Sequence, residues 1–315
     1  MIRAESLTKT YDGVPAVAGV DLHVPEGELC VLLGPSGCGK STLLRLLNAM
    51  VPADSGTVRI AGEDIRGAAP ERLRRGIGYA VQNVGLFPHY TVGRNIAVVP
   101  ELLRWPKERI NQRVSFLLDL MGLPQHFAGK YPRELSGGEA QRVGVARALA
   151  ADPPILLMDE PFGSVDPMGR DRLQRSFAHI HRTLRKTVLF VTHDVSEALL
   201  LGDRILLMRA GRIVGAGTPA QMVFRAGDEF SRSFFGSEVA LRLLSRHRAG
   251  EALTPGEAGD PGCAVAAEAS LAEALSLMLT RQCPRLTVTR DGVPAGALDF
   301  DGLLRFFRER GGDAG

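Results

Sequence analysis

Short apolar runs broken by Gly, Pro and Asp fill the first 80 positions, and residues 6–10, 20–24, 29–33, 57–61 and 77–81 carry the pattern of β-strands. A helix interrupts them. Directly after a glycine-rich turn, Leu43, Leu44, Leu46 and Leu47 form a broad apolar stripe that predicts a helix over 40–50. From 91 to about 150 the strand signals fade and helical spacing takes over, as at Val114, Leu117, Leu118 and Met121 and again over 140–150. This predicts a helical insert. Strand and helix then alternate at 155–158, 172–185, 188–192, 195–201 and 205–208, the pattern of a mainly parallel sheet covered by helices. A doubly wound α/β core follows, and no repeat of 20 to 50 residues is visible within it.

After Phe235 the chain becomes rich in Gly, Ala, Pro and charge, which predicts a weak helix and a linker over 236–262. Residues 263–311 then read as strand, helix (271–280), strand (285–289), a turn at Arg290-Asp291-Gly292, strand, and helix (301–310). Ser270 and Glu273 have the spacing of a capping box for the first of these helices.

Composition changes this picture by exclusion. With 315 residues, 45% of them hydrophobic and 23% charged, there is material for one large domain and a small companion, not for a disordered or fibrous chain. Thirty-eight basic against 35 acidic residues leave a net charge of +3, too balanced to support nucleic-acid binding. Four cysteines (Cys30, Cys38, Cys263, Cys283) without a CxxC pair point to neither a disulfide scaffold nor a zinc site, and fit a reducing cytosol. The first residues lack the features of a signal peptide, and no run approaches the roughly 18 apolar residues of a membrane helix. The expectation is a soluble chain that meets a membrane only through a partner.

Lysine is scarce here, which gives Lys40 weight. Gly34-Pro35-Ser36-Gly37-Cys38-Gly39-Lys40-Ser41 satisfies GxxxxGK[ST] between a strand run and a helix run, so backbone N–H groups and the positive helix end can cradle phosphates while Lys40 reaches the β and γ oxygens. Ser41 is the candidate magnesium ligand. Ile155-Leu156-Leu157-Met158-Asp159-Glu160 reads as a buried strand ending in two acids, Asp159 for the magnesium shell and Glu160 for the attacking water. Between them, Leu135-Ser136-Gly137-Gly138-Glu139 combines a capping box with two glycines that allow close backbone approach, an anion-binding helix start. A second phosphate-seeking terminus in one chain suggests a composite site made by two chains.

With these three motifs in this order, residues 1–235 resemble the nucleotide-binding subunit of an ABC transporter. The resemblance implies a P-loop NTPase, an α/β fold with a RecA-like mainly parallel core sheet, an antiparallel β subdomain and a helical subdomain at about 91–150. It also implies ATP and Mg²⁺, and a head-to-tail homodimer in which each ATP lies between one subunit's residues Gly34 to Thr42 and the other's Ser136, Gly137 and Gly138. By position Glu160 becomes the catalytic base, His193 the switch histidine at the γ-phosphate, and Gln82 the residue linking magnesium and water to a transmembrane permease. Tyr11 would stack on adenine, and Asp166, in Ser164-Val165-Asp166, would belong to the D-loop.

The stretches around Gln82 to His89, Met158 to Pro167 and His193 to Leu199 are similar to the ATPases of osmoprotectant importers, those for glycine betaine, choline, carnitine or proline betaine. Residues 263–311 look like a cystathionine-β-synthase-type (CBS) motif, a regulatory α+β appendage of that subfamily. Such motifs come as tandem pairs, and 236–262 is too short for a second copy, which predicts packing against a twin or the ATPase core. The implied place of work is the cytoplasmic face of the membrane, peripheral through the permease, with a separate solute-binding protein carrying the substrate. Alternatives are an importer for amino acids, polyamines or phosphate, a soluble ABC-type ATPase of translation or repair, and a regulatory module without turnover.

Overall fold

The computed structural model describes residues 1–81, 84–163, 165, 167–224, 230, 234–235, 243–254 and 262–312. These divide into two units, one of Met1–Asp194 with Leu206–Val214 and one of Val195–Ile205 with Gly215–Gly315.

The first unit opens on an antiparallel sheet in the order β2-β1-β4-β5, from β1 (Ile2–Tyr11), β2 (Val14–Val24), β4 (Ser55–Ile60) and β5 (Glu63–Asp64). β1 and β2 pair from Ile2↔Val24 to Tyr11↔Val14, so the turn at Asp12 and Gly13 joins them as a hairpin. A second sheet runs β10-β9-β3-β8-β7-β6, from β3 (Leu29–Leu33), β6 (Ile77–Ala80), β7 (Ile155–Asp159), β8 (Thr187–Thr192), β9 (Arg204–Arg209) and β10 (Arg212–Gly217). β3, β8, β7 and β6 are parallel neighbours, and every residue of β3, β7 and β8 is buried. Their unbroken apolar runs are what a sheet covered on both faces requires.

Helix α1 (Lys40–Leu47) presses Leu43, Leu44, Leu46 and Leu47 into the same core as Ile2, Leu7, Val20 and Leu32. It stops before residue 50 because Asn48 leaves the helical region and Ala49 turns left-handed (φ 55°). α2 (Pro70–Arg75) precedes β6, and the helical insert consists of α3 (Val92–Leu102), α4 (Lys107–Leu120) and α5 (Gly137–Leu149). Ser136 caps α5 with the reciprocal bonds predicted for it. α6 (Pro167–Leu184) begins five residues earlier than its periodicity predicts, at a proline that suits a first helical turn.

The second unit contains α7 (Val195–Leu201), α8 (Pro219–Phe224), and a small α+β module. That module holds a sheet in the order β11-β12-β13 from β11 (Ala264–Ala266), β12 (Arg285–Arg290) and β13 (Val293–Asp299), with α9 (Leu271–Arg281) and α10 (Phe300–Gly312). Ser270 caps α9, its N–H donating to Glu273 Oε2 at 2.7 Å. The cysteine expectation is corrected here. Cys263, just before β11, and Cys283, just after α9, form a disulfide with Cα atoms 6.3 Å apart, because the parallel pairing of β11 with β12 sets the starts of the two strands side by side. Of the linker predicted at 236–262, residues 236–242 and 255–261 lie outside the described residues. Among the described residues no helix is long and apolar enough to cross a membrane.

Candidate active site

In open parallel sheets, ligand sites form beyond the carboxyl ends of the strands, where loops diverge and helix N-termini converge. Here the carboxyl end of β3 leads into residues 34–39, that of β7 into Glu160, and that of β8 into His193. These strands are adjacent, which places all three chemistries along one rim.

The phosphate loop admits little besides its own sequence. A Cβ on Gly34 would collide with the Met208 carbonyl, and one on Gly39 with the Ala16 carbonyl; Gly39 also sits at φ +108°. The loop is fastened from behind. Gly211 N–H donates to the Cys38 carbonyl at 2.9 Å, and Ala18 N–H to the Gly211 carbonyl at 2.9 Å. Lys40, 5% exposed, donates from Nζ to the carbonyls of Gly34 at 2.7 Å and Pro35 at 2.9 Å. Burial raises the pKa of the Cys38 thiol, against the opposing pull of Lys40, so its contribution is that of backbone and volume.

Ser41, on the first turn of α1, donates its hydroxyl to Asp159 Oδ1 at 3.0 Å. Burial raises the pKa of Asp159, offset in part by the Ser41 hydroxyl and reinforced by the charge of Glu160. A buried carboxylate beside a hydroxyl is a hard-oxygen pair that fits Mg²⁺, which takes its remaining ligands from water and phosphate. Glu160 adopts a left-handed backbone (φ 45°), its N–H donating to the Val191 carbonyl at 3.0 Å. That turn directs its carboxylate to His193, whose Nδ1 lies 3.1 Å from Glu160 Oε1. The imidazole side is open (54% exposed) while the carboxylate is largely covered (15%).

At Ser136 the backbone N–H donates to Glu139 Oε2 at 2.8 Å and the Glu139 N–H to Ser136 Oγ at 3.4 Å. The first of these bonds holds the Glu139 carboxyl below its ordinary range. Gly137 and Gly138 follow without side chains, which leaves the helix start open to an anion. Tyr11, at the end of β1 and 45% exposed, pairs with Val14, two residues from the Ala16 carbonyl behind Gly39. The structure thus brings together Lys40, Ser41, Asp159, Glu160 and His193. Gln82, Ser164 and Asp166 lie outside the described residues.

Two supports escaped sequence reasoning. Arg170 Nη1 stands 3.7 Å from Asp194 Oδ2, and its Nη2 donates to the Val165 carbonyl at 3.2 Å, tying α6 to the turn after His193. Asn95 is fully buried on α3 and donates to the carbonyls of Phe87, Tyr90 and Thr91. A polar residue between apolar positions on a helix was the one available signal for it.

The ABC transporter family model matches residues 17–163. The glycine betaine uptake system ATP-binding protein YehX of Escherichia coli K12 is 46% identical over 306 residues, covering 96% of this chain and 99% of that protein. The glycine betaine/carnitine/choline transport ATP-binding protein OpuCA of Bacillus subtilis is 43% identical over 303 residues, 96% of this chain and 79% of that one. A sulfate/thiosulfate import ATP-binding protein CysA of Nocardia farcinica is 41% identical over 277 residues, 87% of this chain and 80% of that one. Among solved structures, the dimeric ATP-binding cassette MJ0796 in a post-hydrolysis state bound to ADP and Pi is similar with a TM-score of 0.64 and 30% identity, over 70% of this chain and 99% of that one.

Proposed function

The chain belongs to the ATP-binding subunits of ABC transporters, and from that premise we propose that it hydrolyses ATP to drive an importer of quaternary-ammonium osmoprotectants of the glycine betaine and choline type. The observation that carries the ATPase is the row Ser41–Asp159 and Glu160–His193 at neighbouring strand ends, at 3.0 and 3.1 Å. The solute class rests on relatives that match nearly the whole chain, one of them over 99% of its own length.

Lys40 exchanges the Gly34 and Pro35 carbonyls for the β and γ phosphate oxygens, and the N–H groups of residues 36–41 complete the cradle. Ser41 and Asp159, with Gln82, would hold Mg²⁺, which neutralises charge on the phosphates when bound. Glu160 Oε1 takes the proton of the attacking water, and His193 fixes the carboxylate in place and faces the γ-phosphate. Ser136, Gly137 and Gly138 of a second copy supply donors to the charge that develops on the transferred phosphoryl group. Closing the two copies on ATP and reopening after hydrolysis drives a membrane permease between states. A cavity of about 360 Å³ lined by Tyr79, Val81, Phe87, Val99 and Arg147 is a candidate seat for that permease. The working place is then the cytoplasmic face of the membrane, with a separate solute-binding protein as indirect partner.

Residues 263–311 serve as the regulatory appendage. Leu279, Val293, Phe300 and Leu304 are 70%, 66%, 57% and 43% exposed, a large apolar surface for so small a module and one suited to packing on its twin.

The deciding experiment reconstitutes the subunit with its permease and binding protein and measures ATP turnover. Stimulation by glycine betaine or choline and not by sulfate is the expected result; stimulation by sulfate alone would assign the chain to a different importer class.

A further inference from the structure

The small C-terminal sheet holds its edge strand weakly. In β11, Ala264 and Ala266 are exposed and Val265 is half-buried, so the strand removes little apolar surface from water and gains little from the sheet. It pairs with β12 from Ala264↔Thr287 to Ala266↔Thr289. At its ends the Thr287 N–H donates to the Cys263 carbonyl at 2.8 Å and the Ala267 N–H to the Thr289 carbonyl at 2.7 Å. Beyond β11 the chain is anchored separately. Ala267 is buried, and the N–H groups of Gly250 and Ala249 donate to the carbonyls of Ala267 and Ala269 at 3.0 and 2.8 Å. The other end of the strand is clamped by the Cys263–Cys283 disulfide, beside a bond from Arg281 Nη1 to the Gly262 carbonyl at 3.1 Å.

That disulfide lies just beneath the surface. Cys263 and Cys283 are 9% and 6% exposed, yet each sits between exposed neighbours, Gly262 and Ala264 for the one, Gln282 and Pro284 for the other. Cys30 and Cys38 belong to the first unit and take no part in it. A subunit that consumes ATP at the cytoplasmic face meets small thiols of the glutathione type, and disulfides in that compartment are transient. A covalent clamp that such thiols can open, on a strand with little apolar hold of its own, is a variable feature of the module.

We propose that Cys263 and Cys283 are a reversible modification site that takes a low-molecular-weight thiol or its disulfide, and that the state of this pair decides whether β11 stays on its sheet. The compartment rests on the functional reading above; the chemistry does not. In the reducing direction a small thiolate attacks one cysteine sulfur, the Cys263–Cys283 bond breaks, and the displaced sulfur takes a proton. A second small thiol attacks the mixed disulfide, frees the other cysteine as a thiol, and leaves with the first as the oxidised small-molecule disulfide. Two electrons and two protons pass to the protein. The reverse sequence, started by the oxidised small molecule, restores the bond. Opening it releases residues 262–266 and uncovers the backbone edge of β12.

The test equilibrates the full chain in mixtures of reduced and oxidised glutathione and follows each cysteine by differential alkylation and mass spectrometry, with hydrogen exchange on the same samples. Cys263 and Cys283 should pass together from thiols to disulfide as the oxidised fraction rises. Exchange at residues 264–267 and at Thr287 should be at least roughly tenfold faster in the reduced form, within what a disulfide closing a loop of this size contributes, while β3 and β7 stay unchanged. The double variant Cys263→Ser, Cys283→Ser should show the fast exchange in every mixture. Cysteines that remain thiols in fully oxidised glutathione overturn the proposal. So does a disulfide that survives fully reduced glutathione, or a β11 that exchanges equally in both states. ATP turnover of the assembled transporter is read separately: its absence would overturn the functional reading, and the thiol titration would still decide the modification site.

Discussion

His193 Nδ1 stands 3.1 Å from Glu160 Oε1, joining the turns that follow two neighbouring parallel strands. The pairing depends on the left-handed backbone of Glu160 (φ 45°), a conformation that non-glycine residues adopt at a cost of about 1–3 kcal/mol. Such strain is retained where the direction of a side chain matters. Glu160→Gln keeps the shape and removes the base, so it should bind ATP and lower turnover about 10² to 10⁴-fold, the range of general-base catalysis. Phosphate release and gel filtration with ATP check this, and a trapped dimer is the expected species.

Asp159 gives a variant that separates stability from activity. Its folded pKa is raised, chiefly by burial, so the ionised carboxylate is the form that folding disfavours. Its unfavourable contribution is full above the folded pKa and fades as pH falls through it. Asp159→Asn keeps an acceptor for the Ser41 hydroxyl and removes the charge. A melting temperature a few degrees higher at neutral pH is expected, together with loss of Mg²⁺-dependent hydrolysis, read by thermal melts and a turnover assay.

Glu139 runs the other way. Its folded pKa is lowered by the Ser136 N–H, so it stabilises the protein above its unfolded value of about 4.3 and loses that contribution as pH falls through the folded value. Ser136→Ala should cost about 1 kcal/mol as a lost helix cap. Urea titrations at pH 7 measure that cost. ATP-driven dimer formation should weaken in the same variant.

Gly39→Ala tests the rigidity of the loop. A methyl group meets the Ala16 carbonyl at a φ of +108°, so both sterics and backbone oppose it. A loss of at least about 1–3 kcal/mol is expected from denaturant melts, with ATP binding abolished in whatever remains folded.

Removal of residues 250–315 takes away the exposed Leu279, Val293, Phe300 and Leu304. Sedimentation of the Glu160→Gln chain with ATP should show weaker self-association, or the reconstituted transporter an altered response to salt. Association and salt response both equal to the full chain would rule out a regulatory role for this segment.

The phosphate loop, the acid-ending strand and the capped Ser136 helix were legible because each is a local pattern: a glycine spacing, an apolar run with terminal carboxylates, an S-x-x-E box. β3 came out at its observed bounds because Leu29–Leu33 is apolar throughout. β10 (Arg212–Gly217) was not read, since its half-exposed side chains alternate weakly. Asn95 escaped for a different reason. Its partners are backbone carbonyls of an irregular loop, and carbonyls are identical in every residue, so no side-chain pattern announces the contact. The Cys263–Cys283 pairing was missed likewise, as a sequence separation of 20 conceals that the crossover sets the starts of β11 and β12 side by side.

The bonds from Ala18 to Gly211 and from Gly211 to Cys38 form a relay of peptide groups between the β1–β2 hairpin, whose first strand ends at Tyr11, and the loop of residues 34–39. On the proposed reading, a purine on Tyr11 and a triphosphate in the loop would press on a single stiff object. Nucleotides with a poorly fitting base should thus be held with misaligned terminal phosphates, and selectivity among them should emerge in the rate of cleavage as well as in occupancy.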